Sequence, residues 1–336
     1  KNHTLGLNFK LSILFVALVL FSCSKDEICL DNGYECCDFP ALTGPTTGYL
    51  YGYGKYQFKA PCFNPENENE FCYIFENTEQ GLQQLCRYNL QTGEHFVILE
   101  NSSIILQPKW NSNDWIFFTS VDQLIWKVKH NGDSLIQLNV NGLSQYLEIS
   151  PFSATLTFSH KVSSQTLPIL YFTDLDGNVL DSLNYFHYGN SSWGVSAWSG
   201  SNQLAFAYGA GESYGLYTFD LDSKSLSELH IWGYASSDDA VRDLKWNYGS
   251  FELFYTKYTT GVFKMNAFDK NEVKIKEGCD SRSYEVISIS SGGKLLAERV
   301  DSYIDPDFEN QIIQNSKIYL MNIDGSNEYE ISLPTN

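Results

Sequence analysis

Cysteines, histidines and clustered carboxylates are the residues with which this chain of 336 amino acids could do chemistry. Seven cysteines follow Cys23: Cys29, Cys36, Cys37, Cys62, Cys72, Cys86 and Cys279. No CxxC occurs, and six residues separate Cys29 from the vicinal Cys36–Cys37 pair. That spacing is poor for a tetrahedral zinc site. In an oxidising compartment these thiols are disulfide candidates, and one or more bridges between tail and body are possible. The pairing stays open, and the odd count leaves at least one thiol free or externally paired. A nucleophilic cysteine needs a poised histidine, and none can be assigned. His160, His187 and His230 include no pair at ligand spacing. Asp174-Leu175-Asp176-Gly177-Asn178 has the flavour of a calcium loop, but position 185, where the twelfth ligand should stand, is Tyr. No GxSxG elbow is present, and Gly209-Ala210-Gly211-Glu212 is too short for a phosphate loop. Neither a metal site, a cofactor site nor a catalytic set is therefore expected.

The elements that would position such residues form a repeat. An aromatic residue or Ile is followed by a Ser/Asn/Gly-rich turn and an apolar strand. This pattern starts at Phe63, Trp110, Ile149, Trp198, Trp246 and Ile289, with spacings of 47, 39, 49, 48 and 43 residues. A second pattern, an apolar strand running into a polar turn, alternates with it. Its turns fall at Thr92-Gly93, Asn131-Gly132, Asp176-Gly177, Asp222-Ser223, Asp269-Lys270 and Asp324-Gly325. Asp-Gly and Asn-Gly favour tight hairpins because they tolerate positive φ. Four short strands per unit, repeated six times, are the signature of a six-bladed β-propeller with four-stranded antiparallel blades. Such a sheet is packed on both faces, so its inner strands should be continuous apolar runs. Length alone allows two domains, but a propeller makes one ring of residues 46–336. Gly48 to Tyr53 is strand-like and is expected to add an outer strand to the sixth blade.

The strand Lys317-Ile318-Tyr319-Leu320-Met321-Asn322-Ile323-Asp324-Gly325-Ser326 and the stretch Trp110 to Ser120 resemble the TolB-type propeller repeat. The resemblance covers residues 57–333 and implies the fold. TolB itself has an α/β domain before its propeller, for which residues 23–45 are too few.

The N-terminus resembles a lipoprotein leader. Lys1 and Lys10 precede an apolar run, Leu11 to Phe21, which is eleven residues long and too short to span a bilayer. Leu20-Phe21-Ser22-Cys23 resembles a lipobox, which implies cleavage after residue 22 and lipidation of Cys23. Ser24-Lys25-Asp26-Glu27 resembles the signal of Bacteroidota lipoproteins sent to the cell surface. The expected organisation is a signal peptide (1–22), a Cys-rich tether (23–45) and the ring. The expected location is the outer membrane, at the cell surface or on its periplasmic face.

The chain carries 22 Lys+Arg against 40 Asp+Glu, a net charge of −18. Cleavage would remove two lysines and leave −20. This acidity argues against a nucleic-acid partner, whose phosphates need basic residues. Three long segments, Asn184–Trp193, Ile231–Asp239 and Asp301–Asn315, should bring Tyr185, Phe186, Tyr188, Trp193, Trp232, Tyr234, Tyr303 and Phe308 to one rim. That rim is the face of the second-to-third-strand loops and blade connections. Aromatic planes there can stack on sugars or grip a protein segment. The expected function is a lipid-anchored envelope protein that binds a protein or glycan partner. The alternative is a polysaccharide-acting enzyme, because oligogalacturonate lyase has a related propeller and uses histidines with a metal.

Overall fold

The computed structural model describes residues 50–335, apart from 102–104, 141, 151–153, 163–168, 184–191, 200–201, 211–212, 234–239, 248–249, 259, 280 and 306. The described residues form strands and turns without a helix. Strand β1 (Leu50–Tyr53) precedes the first blade, which comprises β2 (Tyr56–Asn64), β3 (Asn67–Asn77), β4 (Leu82–Asn89) and β5 (His95–Asn101). Blade two comprises β6 (Ile105–Trp110), β7 (Trp115–Ser120), β8 (Ile125–Lys129) and β9 (Ile136–Gln137). Blade three comprises β10 (Leu143–Ile149), β11 (Thr155–Lys161), β12 (Ile169–Asp174) and β13 (Val179–Leu183). Blade four comprises β14 (Ser192–Trp198), β15 (Gln203–Ala210), β16 (Ser213–Asp220) and β17 (Ser225–Gly233). Blade five comprises β18 (Val241–Trp246), β19 (Glu252–Lys257), β20 (Gly261–Asn266) and β21 (Glu272–Glu277). Blade six comprises β22 (Arg282–Ile289), β23 (Lys294–Asp305), β24 (Phe308–Asn322) and β25 (Tyr329–Glu330). Each blade is an antiparallel meander in chain order.

The two sequence patterns have distinct places in this architecture. Phe63, Trp110, Ile149, Trp198, Trp246 and Ile289 end, or nearly end, the first strand of each blade. The second pattern is the third strand with its turn into the fourth. Gly93, Gly132, Gly177 and Gly325 adopt positive φ there, which is why these turns are Gly-rich.

The apolar runs follow from packing on both faces. In β3, Phe71, Tyr73 and Phe75 join a cluster with Leu296, Ile318 and Leu320 of blade six. The intervening Cys72 and Ile74 join Trp110, Ile116 and Phe118 of blade two. Corresponding clusters fill the wedges between blades two and three, three and four, four and five, and five and six. A blade therefore has no polar face, and alternation disappears from its inner strands.

Six filled wedges imply a closed ring. At the seam, Ser316 donates its N–H to Gln57 Oε1 at 2.7 Å, and Phe63 donates its N–H to Ser288 Oγ at 3.0 Å. Strand β1 adds to blade six as expected, parallel to β24, with Leu50 opposite Gln311 and Tyr53 opposite Gln314. It shares the outer edge with β25, which pairs with Leu320 and Tyr319 further along β24. Both fit because β24 is 15 residues long. The segment 301–315, expected as a loop, is instead largely an extension of the β23–β24 hairpin, with Tyr303 opposite Ile313 and Ile304 opposite Ile312. A two-stranded ribbon is marginal by itself, and β1 supplies the third strand.

Candidate functional site: the axial cavity

The first strands of the blades line the ring's axis and end at one mouth. There they enclose a cavity of about 300 Å³, walled by Phe63, Trp110, Ile149, Trp246 and Ile289. The residues immediately before the six repeat anchors are Cys62, Lys109, Glu148, Ala197, Lys245 and Ser288. All of these except Ala197 line the cavity. Asn or Ser follows every anchor. Several of these side chains cap the turn: Asn64 Oδ1 accepts from Glu66 N–H, Asn111 Oδ1 from Asn113 N–H, and Ser290 Oγ from Lys294 N–H. The turns are thereby pinned around the mouth by local hydrogen bonds.

The cavity floor is charged but balanced. Lys109 Nζ lies 3.0 Å from Glu148 Oε2, and Lys245 Nζ lies 3.2 Å from the same oxygen and 2.9 Å from Asp243 Oδ1. Burial alone would raise the Glu148 carboxyl, but the ammonium groups of Lys109 and Lys245 hold it below its usual range. Burial would likewise lower Lys245, and the carboxylates of Asp243 and Glu148 overcome it and raise it. Asp243 is held in turn, because its Oδ2 accepts Ile287 N–H at 2.9 Å. Two cations and two anions cancel, so the floor is a fixed dipolar array. Its chemistry suits a ligand that offers both donors and acceptors.

Cys62 forms part of the wall. Its Sγ accepts the Trp110 N–H at 3.3 Å. Its register partner on β3 is Cys72, which is fully buried. Both are free thiols, as is Cys86. Cys279 is disulfide-bonded.

The described residues of the aromatic rim expected from sequence do not line this cavity. The turn between first and second strands and the loop between second and third lie at opposite ends of a meander. Trp232, at the end of β17, stacks on Tyr214 at 5.8 Å and carries Lys257 Nζ 4.6 Å above its ring. It is packed between blades four and five. Tyr303 borders a second cavity of about 510 Å³ beside Tyr56, Phe58 and Lys317. Trp193 opens β14 next to its first residue, and Phe308 begins β24. Tyr185, Phe186, Tyr188 and Tyr234 lie outside the described residues, as does Cys23.

Among the described residues, the histidines and the Asp174 loop weighed in the sequence as metal ligands have other partners. His160 Nδ1 is 3.3 Å from Ser144 Oγ, and its ring stacks on Tyr171 at 4.6 Å. His230 sits in blade four, 5.0 Å from the Trp232 ring. His187 lies outside the described residues. Asp174 accepts the backbone N–H groups of Asp176 and Asn178 and the Asn178 amide, so its carboxylate closes a hairpin turn. No group of three or more His, Cys, Asp or Glu able to hold a metal occurs among the described residues.

Sequence reasoning missed the axial cavity because it weighed motifs rather than columns of the repeat. The signal was present: the position before each anchor lies in an apolar strand yet reads Cys, Lys, Glu, Ala, Lys, Ser. Only the ring brings those positions, up to 226 residues apart, around one axis.

No protein-family model matches the chain, and no curated protein matches its sequence. Among solved structures it is similar to a putative TolB from Agrobacterium tumefaciens, with 15% identity and a TM-score of 0.54 over 72% of this chain and 86% of that one. Its neighbours include TolB-like propellers. TolB from Acinetobacter baumannii is similar at 14% identity and a TM-score of 0.59, over 77% of this chain and 62% of that chain, so the similarity spans less than two thirds of that protein. The propeller domain of the Trilobed protease from Pyrococcus furiosus, described as having an open velcro topology, is similar at 10% identity with a TM-score of 0.53, over 84% of this chain and 100% of that one. At such identities the likeness shows the fold alone.

Proposed function

We propose that this chain is a binding protein of the cell envelope, held to the outer membrane by acyl chains on Cys23 and displayed at the cell surface. It takes a short segment of a partner protein at the axial cavity. The observation that carries the binding reading is the cavity wall: aromatic and aliphatic anchors around a floor of paired charges, set by a rigid ring. Apolar walls with a few fixed polar groups are the usual make-up of a recognition pocket. Chain segments offer the mixed donors and acceptors that a balanced floor can meet. The lipobox-like Leu20–Cys23 stretch supports the anchor. The aromatic rim, from Tyr185 to Phe308, is proposed as a second contact surface on the other face.

Photo-crosslinking from the full chain in intact cells tests this reading. A photoreactive residue is placed at Glu66 or Ser112, both exposed at the cavity mouth, or at Tyr303 on the opposite side. Protein adducts are expected from the first two positions. Adducts from Tyr303 alone would move the site to the rim. Adducts containing only glycan would replace the partner class, and none at any position would end the binding reading.

A further inference from the structure

Three thiols crowd the first blade, and their surroundings differ. Cys86 packs in the wedge towards blade six with Tyr73, and burial pushes its thiol up to about 12. Cys62 and Cys72 face the other wedge, towards blade two. They are direct partners across the antiparallel β2–β3 pair. Such partners have Cα atoms about 4.5–5.5 Å apart and side chains on one face. A disulfide spans Cα separations of about 4.4–6.8 Å, so the pair can close without moving the strands. The register shifts on both sides of Cys62 and Phe63, which leaves β2 able to adapt locally. The two sulfurs are not equivalent. Cys62 lines the axial cavity and accepts Trp110 N–H, whereas Cys72 is wholly enclosed.

We propose that Cys62 and Cys72 form a reactive dithiol, with Cys62 the attacking sulfur at the axial cavity and Cys72 the resolving one, which a low-molecular-weight disulfide converts into a cross-strand bond. The Cys62 thiolate attacks one sulfur of RSSR, forms Cys62–S–S–R and expels RS⁻. Cys72 then loses its proton, and its thiolate attacks Cys62 Sγ. That step forms the Cys62–Cys72 bond and expels the second RS⁻. The two cysteine protons end on the two RS⁻ groups. Two thiols are oxidised and one disulfide is reduced to two RSH.

The electrostatics agree with these roles. The hydrogen bond from Cys72, the Lys109 ammonium and the Trp110 N–H draw the Cys62 thiol down to about 7, against its burial. Burial, and then the neighbouring Cys62, raise Cys72. A thiol titrating near ambient pH is the efficient attacking group in exchange. Nothing in this step depends on what the ring binds.

The test uses the full chain, exposed to oxidised glutathione and digested with a glutamate-specific protease. Glu66, Glu70, Glu76 and Glu79 place the three cysteines on separate peptides. The expected product is a linked Cys62–Cys72 peptide pair, with Cys86 unmodified. In Cys72→Ala the glutathione adduct should accumulate on Cys62, and in Cys62→Ser no cysteine of the blade should react. On the unsubstituted chain, iodoacetamide should label Cys62 at least about tenfold faster than Cys86, with a midpoint near neutral pH. This last measurement needs no variant and so does not depend on one folding. Equal alkylation of Cys62 and Cys86 would overturn the proposal. So would a glutathione-treated chain in which Cys62 stays reduced, or one that pairs Cys62 with a cysteine other than Cys72.

Discussion

Glu298 is a carboxylate in a place that disfavours its charge. It lies buried on β23 at the seam, where Oε2 accepts Ala60 N–H at 2.8 Å and Oε1 lies 2.8 Å from Ser316 Oγ. Ser316 has one hydroxyl proton and also lies 2.9 Å from Phe58 O. The single hydroxyl proton of Ser316 is therefore shared between Phe58 O and the Glu298 carboxyl. Burial, opposed by these hydrogen bonds, pushes Glu298 up to about 7, with Glu285 and Lys59 acting in opposite directions. The native state therefore holds a proton that the unfolded chain releases above its ordinary value of 4.5. Stability from this group falls as pH rises from about 4.5 to 7 and stays low above that. Glu298→Gln should be more stable than the parent at pH 8, by roughly 3 kcal/mol at about 1.4 kcal/mol per pK unit. At pH 4.5 the difference should vanish. Urea denaturation at several pH values measures it, and parallel curves for the two chains would contradict this account. Glu148 has the opposite sign: it is held ionised, so its contribution is present above its unfolded pKa and lost as pH falls through the folded one. Glu148→Gln should cost about 3 kcal/mol or more at pH 7, because the buried Lys109 ammonium and the mostly enclosed Lys245 lose their shared partner. A double-mutant cycle with Lys245→Met should show strong coupling, whereas additive effects would mean that the pairs are independent.

At the scale of elements, the informative strand is β1. It joins blade six in parallel, on the half of β24 that β25 does not reach. The hairpin extension beyond Ser316 would otherwise be a lone ribbon with an open edge. Replacing Leu50–Tyr53 with Gly and Ser at equal length should expose it. Hydrogen exchange is expected to lose protection at Gln311–Gln314, while β3 and β19 stay protected. Unchanged protection at Gln311–Gln314 would mean that β1 contributes no stability there. The residue pattern made β1 legible as a strand, since Gly48 to Tyr53 is rich in aromatic side chains, which favour strands. Its parallel direction was not legible, because direction is set by where the ring brings the last blade.

At the scale of the molecule, the chain's acidity bears on the proposed anchor. The chain carries 40 acidic against 22 basic residues, and both lysines of the axial floor are neutralised. Its net field therefore repels anionic lipid, which disfavours electrostatic docking to a membrane and leaves the acyl anchor proposed at Cys23. Acyl chains contribute about 0.8 kcal/mol per buried methylene, and several on one residue hold a protein without a spanning helix. Cells fed a clickable fatty acid should label the full chain, and Cys23→Ala should abolish the label and release the protein from membranes. Membrane retention of an unlabelled chain would refute the anchor.

The sequence by itself determined the ring. Six ordered copies of two strand–turn patterns left one solution, because a sheet with two apolar faces needs a neighbour on each side. The turn chemistry and the blade boundaries were local facts about residues near one another in the chain. The rim aromatics were also read locally, as long segments between strands, and Trp232 and the 301–315 segment show the weakness of that reading. One is packed into a wedge, and the other is largely strand. What only the tertiary structure decided is the axial cavity. Cys62, Lys109, Glu148, Lys245 and Ser288 are ordinary strand residues in isolation. They become a wall, a charge-balanced floor and a reactive thiol once ring closure places the same column of five blades around one axis.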